Sequence, residues 1–335
     1  MHDESTVRSA IETLKDPVSG KSFKETGAVK FVSVEKDAKK VNVVVALDVV
    51  DDKTKATMTR QLAKVVKIDL GFSGLSVDYQ LAKLEKSILG RHDGPMYIGI
   101  ASGKGGVGKS TVAANLALAL TRIGKKIGII DADIYGSSIP TLFDLDAKAP
   151  KATEDKKMMP PTSHGVQIMS TGFFLEGDKP VMWRGPMLGK MLNHFFYDTQ
   201  WDEEIDIMLI DLPPGTGDVA IDIQKLIPAC KMLIVTTPHK SASRVAIKAG
   251  YAARELKHDV IGVVENMSHL EHDGERLMPF GEGGGEDVAK KLDTRVVANI
   301  PLAQPKDGHH SLFSMEEDTG VIYLGLANRL IKTLA

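Results

Sequence analysis

The chain has 335 residues, 43% of them hydrophobic, and this length predicts about two domains. Its formal net charge of −2 at pH 7 gives no overall attraction to nucleic acid or to an anionic membrane. Its one cysteine excludes an intrachain disulfide, and its acidic start, which has no apolar run, predicts no secretory signal. Since no stretch approaches the about 20 apolar residues of a membrane-spanning helix, we expect a cytoplasmic protein without a membrane partner.

Residues 1–86 predict a small α/β domain. Helical apolar spacing alternates there with β-branched runs, and the polar stretches between them are typical of turns. In chain order these patterns predict a helix at 7–14, strands at 29–34 and 41–47, a helix at 55–70 and a short strand at 75–79. The polar, glycine-containing stretch that follows predicts a linker over residues 87–95.

Residues 96–335 predict a doubly wound, mostly parallel α/β domain. Short Val/Ile/Leu runs alternate with segments long enough for crossover helices, which is typical of strands that are buried on both faces of a sheet. These seven runs are MYIGIA, KIGIID, VQIMS, IDIMLIDLP, KMLIVTTP, DVIGVVENM and RVVANIP.

A phosphate-binding loop follows the first of these runs. Gly103, Gly108, Lys109 and Ser110 fit the pattern G-x-x-x-x-G-K-[ST], between a predicted strand and a predicted helix. The glycines allow backbone N–H groups to converge, Lys109 neutralises the β and γ phosphates, and Ser110 holds Mg²⁺. We therefore expect ATP and Mg²⁺ to bind to the loop residues Gly103, Lys104, Gly105, Gly106, Val107, Gly108, Lys109, Ser110 and Thr111.

Aspartates at the ends of two predicted strands complete the expected site. Asp211 ends the run IDIMLID and is predicted to hold the metal through a water. Asp131 and Asp133 end KIGIIDAD, and we expect Asp133 to position the attacking water while Asp131 supports Mg²⁺. The alternative is that these aspartates only cap the helices that follow.

The loop KGGVGKST resembles the deviant phosphate loop of the ATPases related to MinD, ParA and the nitrogenase iron protein. In those ATPases the early lysine, matched here by Lys104, reaches across a homodimer to the nucleotide of the partner. The resemblance therefore implies three catalytic residues, Lys104 in trans together with Lys109 and Asp133. Taken alone, Lys104 is also compatible with a solvated loop position.

Further motifs narrow the resemblance to the Mrp/ApbC subgroup, over nearly the whole chain. They are DADIYG, PVMWRGPMLGKML, DLPPGTGD, VVENMS and FGEGGG. This resemblance implies that Asn266 reads the edge of the adenine and that residues 301–305 pack near the base. Without the resemblance, Asn266 is at least as typical of a turn.

Members of this subgroup carry iron–sulfur clusters on a C-x-x-C pair, so that a dimer supplies four thiolates to one bridging cluster. The matching positions here are His272 and Glu275, which lack the soft sulfur ligands of such a cluster. Two His–Glu pairs could bind a harder metal, but we prefer a solvated loop that binds nothing. Cys230 begins an apolar strand and is predicted to be a small buried hydrophobe.

The segment around Trp183 and Arg184 combines residue types enriched at protein interfaces, whereas residues 188–196 have the spacing of a packed helix. We expect Trp183 and Arg184 to contact an interface or a client, and residues 188–196 to pack.

The resemblance implies a homodimeric ATPase, with slow, dimer-dependent hydrolysis, that acts in iron–sulfur cluster assembly or in transfer to apoprotein clients. Its partners would be those clients or cluster-assembly proteins. The alternative function is a nucleotide-switched regulator or scaffold, protein- or DNA-binding, that has lost the cluster. A partitioning ATPase of MinD/ParA type is disfavoured because the end GLANRLIKTLA is weakly charged rather than a basic amphipathic helix.

Overall fold

The computed structural model describes residues 3–17, 20–35, 39–47, 52–81, 95–134, 136–145, 150–155, 157–174, 185–217, 220–221, 224, 227, 230–306 and 312–334. The chain forms two compact units, Met1–His92 and Asp93–Ala335. The expected linker lies almost entirely outside the described residues, as do Trp183 and Arg184. The expected domain limits therefore stay predictions.

The first unit is a small α/β structure. Its elements are α1 (Glu4–Ile11), α2 (Phe23–Thr26), β1 (Val29–Glu35), β2 (Lys40–Leu47), α3 (Asp52–Ala63), a π-helix (Lys64–Asp69) and β3 (Gly74–Leu81). The sheet order is β1-β2-β3, with β1 antiparallel and β3 parallel to β2. Alternate residues of β2, among them Val41, Val43 and Val45, are buried in a core that includes Phe23 and Leu62.

The second unit contains an eight-stranded sheet with helices around it. Its first elements are β4 (Met96–Ser102), α4 (Lys109–Arg122), β5 (Ile127–Asp131), α5 (Ile139–Leu142), β6 (Lys151–Ala152), β7 (Met158–Met159), β8 (Thr162–Ser163), β9 (Val166–Ser170), a 3₁₀-helix (Thr171–Phe174) and α6 (Gly185–Tyr197). The elements that follow are β10 (Ile207–Asp211), β11 (Lys231–Thr236), α7 (Lys240–Glu255), β12 (Asp259–Asn266), β13 (Leu270–His272), β14 (Glu275–Leu277), α8 (Gly284–Lys291), β15 (Val296–Ile300) and α9 (Asp318–Leu334).

The large sheet has the order β15-β12-β11-β4-β10-β5-β9-β8. All neighbouring strands are parallel except β8, which pairs antiparallel with β9. The seven parallel strands coincide with the seven apolar runs of the sequence. This confirms the doubly wound, mostly parallel α/β fold, and it brings the carboxyl ends of the central strands to one edge, where such folds bind ligands.

The core of the second unit explains why the helices lie where they do. Ile98 and Ile100 of β4 are fully buried and pack in one cluster with Leu116 and Leu120 of α4. In α6, Leu192 and the phenylalanines that follow it are buried, as expected from their helical spacing. Across the described residues, no helix combines the length and apolar character that crossing a membrane requires.

Two glycines of α9 provide a matched test of this packing. At Gly320 a Cβ atom would lie 1.7 Å from the carbonyl oxygen of Ser314, whereas at Gly325 nothing lies within 4 Å. We expect Gly320→Ala to lower the free energy of unfolding by about 1–3 kcal/mol, because backbone must move. Gly325→Ala should be neutral or stabilise by up to about 1 kcal/mol, through helix propensity. Urea unfolding of both variants measures the difference, and equal effects would contradict this account.

Candidate nucleotide-binding site

The loop between β4 and α4 has the backbone of a phosphate cradle. Gly106 and Gly108 have φ angles of 79° and 80°, which residues with a side chain rarely adopt. At Gly103 a Cβ atom would lie 2.1 Å from the backbone of Val245, so α7 packs directly against the loop. α4 begins at Lys109, and its free N–H groups add partial positive charge at this end.

A cavity of about 710 Å³ opens beside the loop, at the carboxyl edge of the sheet. This volume lies within the range of about 300–1,000 Å³ that is usual for small-molecule sites. Of the predicted site residues, those that line it are Lys104, Gly105, Gly106, Gly108, Lys109, Ser110, Thr111 and Asp133. Pro213 and Pro214, which follow β10, also line it.

Lys109 is held by carboxylates within this site. Its Nζ lies 2.6 Å from Asp211 Oδ1 and 3.5 Å from Asp133 Oδ2, and its side chain is 5% exposed. The Ser110 hydroxyl donates a hydrogen bond of 2.5 Å to Asp211 Oδ2. The ammonium and hydroxyl groups predicted to bind phosphate and Mg²⁺ are thus both bonded to Asp211.

Opposing effects set the charge of Lys109. Burial lowers its pKa, but the negative charges of Asp211 and Asp133 outweigh burial and hold the pKa above that of an ordinary lysine. The side chain therefore keeps its proton at neutral pH. A buried, permanent positive charge at the start of a helix is suited to neutralise phosphate oxygens.

Strand register brings three polar side chains together behind Lys109. Asp211 of β10 is paired with Asp131 of β5, and Asp131 is paired with Ser170 of β9. Asp131 Oδ2 accepts a hydrogen bond of 2.8 Å from Ser170 Oγ, and Asp131 Oδ1 accepts one of 3.1 Å from the Asp133 backbone N–H. Burial, with a further contribution from the Asp211 charge, raises the pKa of Asp131 to about 8.

Ser170 is a site residue that the sequence analysis missed. Its only signal is that the run VQIMS ends in a polar side chain, as the runs ending in Asp131 and Asp211 do. Burial also raises the pKa of Asp133, which lies closer to the cavity. The structure therefore separates a fully buried carboxyl at Asp131 from a carboxyl at the cavity wall at Asp133.

Asn266 lies against the phosphate loop. It ends β12, is 6% exposed, and its Nδ2 donates a hydrogen bond of 2.9 Å to the carbonyl oxygen of Val107. Residues 301–305 follow β15, which pairs with β12. The expected contacts of Asn266 and of residues 301–305 with adenine stay predictions.

The positions matched to the C-x-x-C pair lie on a hairpin rather than in an irregular loop. β13 and β14 are antiparallel, and His272 pairs with Glu275 across the turn. Asp273 and Gly274 form that turn with φ angles of 50° and 80°, as the Asp-Gly sequence favours. The His272 side chain is 70% exposed, and its Nε2 lies 3.5 Å from Asp273 Oδ2.

Cys230 is buried, 5% exposed, and lies just before β11 at the amino edge of the sheet. Its sulfur is 3.5 Å from His258 Nδ1, and burial raises the pKa of its thiol to about 12. Within the part of the chain that the structure describes, no three His, Cys, Asp or Glu side chains are grouped to hold a metal ion. The residues present do not fit a cluster held by protein thiolates.

A loop of this backbone geometry, between a central parallel strand and the helix after it and open to a nucleotide-sized cavity, defines a P-loop NTPase. The model of the family described as NUBPL iron-transfer P-loop NTPase matches residues 95–321, and that of an iron–sulfur cluster assembly protein matches residues 4–72. The chain belongs to the NUBPL iron-transfer P-loop NTPase family.

Similar proteins confirm the resemblance seen in the motifs. The iron–sulfur cluster carrier protein of Bacillus subtilis (strain 168) is 39% identical, over 98% of this chain and 97% of that protein. The iron–sulfur cluster carrier protein of Mycobacterium leprae is 38% identical, over 89% of this chain and 82% of that protein. A nucleotide-binding protein from Archaeoglobus fulgidus, solved in complex with ADP, is similar with a TM-score of 0.53 and 33% identity, over 69% of this chain and 87% of that chain. The cell division ATPase MinD of Pyrococcus furiosus has the same fold. It is 22% identical, with a TM-score of 0.53, over 72% of this chain and 99% of the MinD chain.

The raised pKa of Asp131 predicts a dependence of stability on pH. The folded chain keeps this carboxyl protonated up to about pH 8, whereas its ordinary pKa is 3.8. Its contribution to stability is complete below the unfolded pKa and is lost as the pH rises through the folded pKa. We expect the free energy of unfolding to fall less between about pH 5 and 8 in Asp131→Asn than in the wild type.

Urea unfolding without nucleotide or Mg²⁺ at a series of pH values measures this slope. Asp155→Asn, at an exposed position of the same unit, is the matched control and should keep the wild-type slope. Identical slopes for Asp131→Asn and the wild type would show that Asp131 is ionised in the folded protein.

Proposed function

We propose that this chain is a homodimeric ATPase that acts in the assembly of iron–sulfur clusters or in their transfer to target apoproteins. The observation that carries the proposal is the buried, charged Lys109 at the start of α4, beside a nucleotide-sized cavity. Family membership supports the biological role, since a relative 39% identical over almost all of both chains is named an iron–sulfur cluster carrier protein.

The phosphate loop binds the triphosphate, with Lys109 leaving Asp211 to neutralise the β and γ phosphates. Ser110, which is hydrogen-bonded to Asp211, would hold Mg²⁺ through its hydroxyl, and Asp211 would hold it through a water, with Asp131 in support. The metal would supply positive charge beside the phosphates. Asp133, at the cavity wall, orients the attacking water.

Lys104 completes the catalytic charge from the other subunit. It is exposed where the cavity opens, so it is accessible to a second copy of the chain. Hydrolysis is slow until the dimer closes, because only then does the site receive the positive charge that stabilises the transition state.

The cluster itself is cargo whose ligands come from the client or from a cluster-assembly protein. This chain has one cysteine, and that thiol is buried with a raised pKa. The same observation favours the second candidate, a nucleotide-switched regulator or scaffold without a cluster. The two candidates differ in whether ATP use by this chain changes the rate of cluster transfer.

Cluster transfer from a loaded assembly protein to an apoprotein tests the proposal. We expect wild-type chain with ATP and Mg²⁺ to accelerate the transfer, and Lys109→Ala to lose both nucleotide binding and acceleration, because it removes the charge at the phosphates. An active ATPase that leaves transfer unchanged would favour the regulator.

Anaerobic reconstitution with iron and sulfide tests the source of the ligands. We expect wild type and Cys230→Ser to bind no cluster, and the double variant His272→Cys/Glu275→Cys to gain one, since its thiols face each other on an exposed hairpin. Iron counting and absorbance spectroscopy measure the outcome. Cluster in the wild type that is lost in Cys230→Ser would contradict the assignment of its ligands to a partner.

Mixing two inactive variants tests whether Lys104 acts in trans. In a dimer of one Lys104→Ala and one Asp133→Asn subunit, the nucleotide in the Lys104→Ala subunit has its own Asp133 and the partner's lysine. That site is complete, so mixing should restore about half the wild-type ATPase rate per mixed dimer, given that such a charge contributes about 10³-fold or more. A lysine acting in its own subunit gives no recovery. Subunit exchange is verified first with labelled chains.

A further inference from the structure

Asn266 joins two parts of the second unit that are distant in sequence through a hydrogen bond. It ends β12, and Val107 lies in the loop after β4, with β11 between these two strands. Both residues are buried, at 6% and 4% exposure, and the 2.9 Å hydrogen bond from Asn266 Nδ2 to the Val107 carbonyl is shielded from water. A buried carbonyl that lost this donor would be left unpaired, which is unfavourable.

Gly108, which follows Val107, leaves room for the same Asn266 amide. At Gly108 a Cβ atom would lie 2.2 Å from Asn266 Nδ2, so only a residue without a side chain leaves room for the amide. A trans peptide directs its C=O and its N–H to opposite sides. With the Val107 carbonyl bound to Asn266, the Gly108 N–H is turned to the other side, and Gly108 lines the cavity.

We propose that Asn266 is a positioning residue of the phosphate loop, which holds the Val107–Gly108 peptide so that the Gly108 N–H is presented to the phosphates. This role rests on the proposed nucleotide binding, and it is independent of the base. It differs from adenine recognition, in which the same side chain would distinguish ATP from GTP and would leave a ligand without a base unaffected.

Binding of three ligands to Asn266→Ala separates the two roles. With Mg²⁺ present, titration calorimetry of ATP, GTP and inorganic pyrophosphate should show the three affinities weakened by a similar factor, about tenfold or more, because the loop that all three share has lost its support. Weakened ATP binding with unchanged GTP and pyrophosphate binding would overturn the proposal in favour of adenine recognition. Unchanged binding of all three would overturn it as well.

Two further variants keep the test decisive. Asn266→Leu retains a similar volume without a donor and should show the same common loss, even if truncation to alanine impairs folding. Asn328→Ala removes an exposed amide that donates a hydrogen bond to the Leu324 carbonyl within α9, and this variant should bind all three ligands as the wild type does. A wild-type chain that binds none of the three would instead overturn the proposed function.

Discussion

The contact between Lys109 and Asp211 is the interaction on which the rest of the site depends. The two groups are 2.6 Å apart, and Asp211 has no exposed surface. Removing Lys109 would leave Asp211 as a buried charge without its ammonium partner, an effect of about 3–5 kcal/mol in proteins. The pair therefore keeps the site charged and ordered, and a phosphate must offer Lys109 at least as good a partner as Asp211 does.

The balance of charge around Lys109 explains why a divalent cation suits this site. Three carboxyl groups, those of Asp131, Asp133 and Asp211, lie around one ammonium, and the raised pKa of Asp131 reduces their combined negative charge. A triphosphate adds further negative charge beside them. Mg²⁺ held at Ser110 and Asp211, as proposed, would compensate for that charge.

Much of this arrangement could be predicted from the sequence, because parallel strands buried on both faces leave continuous apolar runs. The phosphate loop and the aspartates that end β5 and β10 could also be found, because the loop directly follows one of these apolar runs and the aspartates end two others. The partners of Ser170 and Asn266 could not be predicted, because they depend on the order of the strands in the sheet. Ser170 meets Asp131 because β9 lies beside β5, and Asn266 meets Val107 across a separation of 159 residues in sequence. The hairpin at 270–277 had an Asp-Gly turn signal, but its strands are too short for a clear alternation.

The nucleotide site and the cluster positions implied by the Mrp/ApbC resemblance are physically separable in this fold. The first is built at the buried carboxyl edge of the sheet, by loop backbone and by strand register. The second needs only two thiols on an exposed hairpin, where His272 and Glu275 stand across the turn. Exchange of exposed residues there leaves Lys109, Asp211 and their hydrogen bonds untouched. A chain can therefore lose its own cluster ligands and keep every group that nucleotide binding requires, which is the combination expected of a protein that acts on a cluster held by its partner.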